Sequence, residues 1–166
     1  MPELERFTLL KTLVGSHAHG LEGPTSDRDY RGVYINHTSD LLRVDAGGYR
    51  GVSWLEGDTE DNTAYELAHF LHLATKSNPS ILEVFRAPVV EIGDLVVSNN
   101  LMVPNRVIEL FPYCWSSRGV FDAFKGYSHN QRNKLFDEKQ EFSKRRGKYA
   151  VAHLRVLLQG IELLRY

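Results

Sequence analysis

The first apolar run, Phe7 to Val14 (FTLLKTLV), stops at Gly15-Ser16. It reads as a strand or the end of a short helix. Asp29 to Ile35 (DYRGVYI) is aromatic and β-branched and reads as a strand, weakened slightly by Gly32. Residues 36–60 are rich in Gly, Asp, Ser and Thr, which predicts a long loop with one short strand near Val52 to Leu55. Ala64, Leu67, Ala68, Leu71 and Ala74 then follow helical i, i+3, i+4, i+7 spacing, widened by Phe70. Asn78-Pro79 ends that helix, because the residue before a proline disfavours the α region. Pro79 can open the next helical run, Ser80 to Phe85.

Residues 86–103 are apolar and β-prone, broken at Gly93 and Asn99-Asn100. Pro104 predicts a helix to about Leu110, and Ser116 or Ser117 caps another reaching about Phe136. Asp137 to Lys148 is densely charged and reads as a solvated turn. A last helix carries Ala150, Leu154, Leu157, Leu158 and Ile161 on one stripe. Strands therefore crowd into the first ~95 residues and helices into the rest, an α+β arrangement. We expect a core at 1–95 and a helical C-terminal region at 96–166.

Composition narrows the classes. The 166 residues are 42% hydrophobic and 25% charged, as in ordinary globular domains. No run approaches the roughly 18 consecutive apolar residues of a membrane span. The net charge is -1, so nucleic-acid contact would need a local patch rather than an overall basic chain. One cysteine, Cys114, excludes an internal disulfide and thiolate metal clusters. With an N-terminus that lacks the pattern of a secretory signal, this leads to the expectation of a cytoplasmic protein.

The informative segment is Gly15-Ser16-His17-Ala18-His19-Gly20, followed by Ser26-Asp27-Arg28-Asp29. Two carboxylates two residues apart at the head of a strand face one side, with Arg28 on the other. Such a pair suits hard cations such as Mg²⁺, and a two-ion clamp serves in-line phosphoryl or nucleotidyl transfer. Gly15-Ser16 offers close backbone approach and a hydroxyl donor, the makings of a phosphate cradle. Each pair alone is common on solvated turns; their order and spacing ahead of an apolar strand carry the signal.

The pattern Gly-Ser, ten residues, Asp-x-Asp resembles that of the DNA polymerase beta-like nucleotidyltransferase superfamily. The longer string GSHAHGLEGPTSDRDYRGVYI is similar to a bacterial and phage branch associated with RNA repair or RNA ligases. AYELAHFLHLATKSNPSILEVF extends the resemblance, as do SSRGVFDAFKGYSHNQ and AHLRVLLQGIELL more loosely. By this resemblance, Gly15 and Ser16 form the phosphate-binding turn, with His17 beside them, and Asp27 and Asp29 bind metal. The superfamily's third carboxylate falls best on Asp61, with Asp58, Glu60 and Glu66 as competitors. The resemblance implies Mg²⁺ (or Mn²⁺), an NTP substrate, with ATP favoured, and a hydroxyl acceptor, with RNA favoured. It also leads us to expect more helical sequence beyond Tyr166.

The remaining candidates have bland readings beside the functional ones. His19 reads as a turn residue. His69 and His72, at i, i+3, read as solvated. Arg31 shares the strand face of the carboxylates and fits either a triphosphate contact or a salt bridge. His153 and Arg155 open the last helix. The basic run Lys144 to Lys148 reads as a solvated loop, and Phe121, Phe124 and Tyr127 as core. The expected function is NTP-dependent nucleotidyl transfer, releasing pyrophosphate. The alternatives are an inactive nucleotide- or partner-binding module of the same fold, and a helical nucleic-acid binder, for which a concentrated basic helix is missing.

Overall fold

The computed structural model of the chain describes residues 6–36, 38, 42, 54–55, 62–93, 95–97, 101–103, 106–136 and 145–165. The fold is α+β. A mixed five-stranded sheet has the order β3-β4-β2-β1-β5. Its strands are β1 (Arg6–Val14), β2 (Asp29–Asn36), β3 (Trp54–Leu55), β4 (Asn62–Glu66) and β5 (Val89–Ile92). β1 runs antiparallel to β2, with Val14 opposite Asp29. It also pairs antiparallel with β5. β4 runs parallel to β2, Gly32 opposite Ala64. That register explains the glycine inside β2: a Cβ there would press on the Ala64 methyl at 3.1 Å. A separate hairpin joins β6 (Leu95–Val97) to β7 (Leu101–Val103).

The chain forms two compact units. The first comprises Met1–His72 and Glu83–Pro112. Its core holds Leu9, Leu10, Val33 and Tyr34 from the sheet. A run of aromatic rings continues it, Phe70 lying 4.9 Å from Phe85 and Phe85 5.7 Å from Phe111. Phe111 belongs to a 3₁₀ helix, Val107–Tyr113, found where an α-helix starting at Pro104 was expected.

The second unit comprises Leu73–Leu82 and Tyr113–Tyr166. In it, α2 (Leu67–Thr75) ends and α3 (Pro79–Arg86) begins. The corner between them uses Ser77 in the left-handed region, φ +54. The Ser77 N–H donates to the Ala74 carbonyl, closing the helix end. Asn78 then caps α3, its Oδ1 accepting from Ser80 N–H at 3.0 Å, and Pro79 stands at the first helical position. The long helices α4 (Ser117–Phe136) and α5 (Arg145–Leu164) pack along each other. Ser116 is the N-cap of α4, its hydroxyl accepting from Gly119 N–H. Val120, Phe124, Ser128 and Gln131 form the buried stripe of α4, and Val156, Gly160 and Leu163 that of α5. A Cβ on Gly160 would meet the Phe124 ring at 3.0–3.3 Å, so this glycine sets how closely the helices approach.

Several expectations change. Ala64 belongs to β4 rather than to a helix, because its apolar spacing coincides with that of the helix beginning at Leu67. Ala68 is exposed, while Phe70 and Ala74 are fully buried. Arg145 to Lys148 are the first turn of α5, not a loop. The stripe Leu154, Leu157, Leu158 and Ile161 is exposed, and the opposite side of α5, with Val156, Gly160 and Leu163, is the one buried. Of the three aromatics expected in the core, only Phe124 is fully inside, and Phe121 is 49% exposed.

Phe70→Ala should cost about 3–5 kcal/mol, while Ala68→Ser should stay within roughly 0.5 kcal/mol, both read by urea unfolding. Burial raises the pKa of the Cys114 thiol, which lowers its thiolate fraction near neutral pH. Ellman's reagent should therefore label it slowly in the folded chain and promptly once urea is added.

Candidate active site

Where β1 ends, the chain turns into α1 (Gly15–Ala18), a single helical turn. Gly15 sits at φ +72, in the region where an L side chain is strained. The missing side chain has a second use: a Cβ there would run into the Asp29 carboxylate, with Cγ at 3.0 Å. The Val14–Asp29 pairing of β1 with β2 brings that carboxylate to the turn. The two halves of the sequence motif therefore meet in space, Asp29 lying half-buried against the Gly15 backbone.

The turn is braced from three directions. The Ser16 carbonyl accepts from Leu21 N–H at 2.9 Å and from His19 N–H at 3.2 Å. His17 Nε2 bonds the Ser26 carbonyl at 3.1 Å. A carbonyl only accepts, so Nε2 carries the proton and the His17 ring ties α1 to the segment entering β2. That segment is itself a tight turn: Ser26 Oγ accepts from Gly23 N–H at 2.8 Å, and Ser26 N–H donates to the Gly23 carbonyl at 3.0 Å. His19 Nε2 lies 2.8 Å from Glu83 Oε1 on α3, both side chains largely buried. Among the described residues no group bonds the Ser16 hydroxyl.

The predicted residues fall as follows. Asp29 opens β2, but Asp27 lies before the strand and is exposed. The expected strand alternation therefore does not apply to the pair: Pro24 and the Gly23–Ser26 turn hold the chain out of the sheet until residue 29. Arg31 shares the Asp29 face of β2 and donates to the Tyr30 carbonyl at 3.0 Å. Asp61, Asp58 and Glu60 lie outside the described residues. Glu66 is buried at the end of β4, where its carboxylate accepts from His69 N–H at 3.1 Å and caps α2. Its register partner Tyr34 is five residues from Asp29 and on the other face of β2. Five residues span about 16 Å, so Glu66 is no partner for Asp29. His69 stacks on Tyr65, ring centroids 6.3 Å apart, and His72 is exposed. Among the described residues no group of three His, Cys, Asp or Glu is placed to hold a metal.

A family model described as the RNA repair pathway DNA polymerase beta family matches residues 4–166. The chain belongs to that family. It is a DNA polymerase beta-like family, for which nucleotidyltransferase-type chemistry is the family-level activity. The chain is also similar to an uncharacterized 38.9 kDa protein of Enterobacteria phage T4, encoded in the nrdC-mobD intergenic region. The two are 27% identical over 100 residues, which is 57% of this chain and 29% of the phage protein. No solved structure matches the chain.

Sequence reading missed the His19–Glu83 pair, because 64 residues separate the partners and His19 reads as a turn residue. Its only trace was the second histidine beside the glycine turn. A double-mutant cycle on His19→Ala and Glu83→Ala should give a coupling of about 1 kcal/mol or more in urea unfolding. Additive single effects would remove the pair from the architecture of the turn.

Proposed function

We propose that the chain transfers a nucleoside monophosphate from an NTP to a hydroxyl acceptor. The observation that carries this reading is the seat of the Asp29 carboxylate on the Gly15 backbone. It joins a turn suited to phosphate with an acid suited to metal, in a chain of a DNA polymerase beta-like family.

Asp27 and Asp29 are hard oxygen donors and fit Mg²⁺ or Mn²⁺, which prefer such ligands. Asp61 is our candidate for the third. It is bonded to Asn62, which pairs with Tyr30, the neighbour of Asp29. Divalent ions bound there supply Lewis-acid chemistry, neutralising phosphate charge and acidifying the acceptor hydroxyl.

The chain's own groups do the rest. The Ser16 hydroxyl donates to the β- or γ-phosphate, and Gly15 lets the backbone approach it. His17 fixes the segment that carries Asp27. The acceptor oxygen bonds to the α-phosphorus as the α–β phosphoanhydride breaks. Pyrophosphate leaves with the bonding electron pair, and the acceptor's proton passes to Asp61 or to solvent. ATP is the expected donor and an RNA hydroxyl the expected acceptor.

Incubation with Mg²⁺ and α-labelled ATP against RNA, protein and small-molecule acceptors should give label transfer. Asp29→Asn should lower it by roughly 10²–10³-fold, the several kcal/mol of charge stabilisation expected at such a site. Gly15→Ala should also depress it, by displacing Asp29. Transfer that survives both Asp27→Asn and Asp29→Asn would sink the reading, and nucleotide binding without transfer by the wild type would favour the inactive module.

A further inference from the structure

The net charge of -1 conceals a partition. The unit of Leu73–Leu82 and Tyr113–Tyr166 holds 12 Lys and Arg against 5 Asp and Glu, a net +7. The unit of Met1–His72 and Glu83–Pro112 holds 8 against 16, a net -8. The whole-chain charge therefore hides a basic excess that belongs to one unit.

That unit contains a cavity of about 370 Å³ along the α4–α5 pair. The volume lies at the low end of small-ligand sites, roughly 300–1,000 Å³. Its walls are apolar, among them Phe121, Phe124, Leu157 and Ile161. Lys125, His129 and Arg132 line it from α4 and are all exposed. They stand at i, i+4 and i+7 along a single helix face. Lys125 Nζ lies 5.4 Å from the centre of the exposed Phe121 ring, and the Arg132 guanidinium 5.7 Å from that of exposed Phe136. Among the described residues no carboxylate pairs with Lys125 or Arg132.

An apolar wall alone would not identify an occupant. Here, a half-exposed ring at each end of the row is paired with a cation, Phe121 with Lys125 and Phe136 with Arg132, along one helix of a strongly basic unit. That is the combination by which single strands are held: bases stack on rings while cations follow the phosphates. An acidic amphipathic peptide would also meet the cations; the pairing of each cation with a ring is what favours a strand that offers both phosphates and bases.

We propose that the α4–α5 groove binds single-stranded RNA, with a base against Phe121 and phosphates on Lys125, His129 and Arg132. This rests on the nucleotidyl-transfer reading only in naming where an acceptor strand is held; binding is measured without catalysis. Fluorescence anisotropy of the full chain with a labelled ten-nucleotide RNA tests it. Phe121→Ala should weaken binding about 5- to 100-fold. Lys125→Glu with Arg132→Glu should weaken it more and reduce the log–log salt slope by about 1.4. The same reversals at Lys76 and Arg118, exposed positions of this unit outside the groove, should change affinity less than about threefold.

Asp29→Asn should keep full RNA affinity while losing label transfer, so the two readings fail separately. The groove proposal is overturned if the Lys76 and Arg118 reversals weaken binding as much as the groove pair. It is also overturned if duplex RNA binds as tightly as single-stranded, or if Phe121→Ala leaves RNA affinity unchanged. An acidic peptide whose binding needs Phe121 while RNA binding does not would reassign the groove to a protein partner. Circular dichroism matching wild type qualifies each variant; if Phe121→Ala misfolds, Phe121→Tyr, which keeps a stacking face, should bind like wild type.

Discussion

The turn that joins β1 to β2 depends on one steric fact: position 15 has no side chain. The chain must leave β1 after Val14, make a helical turn, travel through a second turn and return as β2 with Asp29 opposite Val14. Antiparallel pairing brings the acid and the turn to the same place. Only glycine lets them touch, since its backbone adopts φ +72 and its missing Cβ leaves the volume the carboxylate fills. The brace from His17 to Ser26 then ties the two turns of the excursion together, and that from His19 to Glu83 holds it against α3. None of them would have a fixed target if the turn at Gly15 opened.

How far the sequence discloses this varies by element, for identifiable reasons. β2 was legible because a β-branched and aromatic run starts at Asp29, whereas the run ending at Gly15 fitted a strand or a short helix until the structure assigned it to β1. The α2–α3 corner was legible because Asn78-Pro79 leaves the backbone few options. β4 was not: NTAYE is short and mostly polar, and its Ala64 happens to extend the helical spacing of the next element. The face of α5 was misassigned for a related reason. Hydrophobic periodicity finds the most apolar stripe, whereas close helix packing against Phe124 selects the side bearing Gly160. At the site, the Gly-Ser and Asp29 pieces were legible as a motif, while the exposed position of Asp27 depends on a turn that period-two reasoning cannot see.

Charge shows the same separation of scales. A sum over the chain describes a neutral protein, yet nearly all of the basic excess lies in the helical unit and the acidic excess in the sheet unit. In the acidic unit, any polyanionic ligand meets an excess of carboxylates, which cations would have to offset. In the basic unit no such neutralisation is required. Any contact with a polyanion there should fade with salt over a Debye length of about 10 Å at 0.1 M.

The place of β2 in the sheet bears on how the molecule comes to be folded. It is bonded on both sides, to β1 across the turns and to β4 from more than two dozen residues further along. Its ladders must wait for loop closure before they contribute anything, whereas the helices α4 and α5 follow each other closely in sequence. During synthesis, then, the seat of Asp29 is assembled late relative to its own chain position. Once formed, it stands at the start of a strand bonded on both sides, whose interior amides should be among the slower of its unit to exchange.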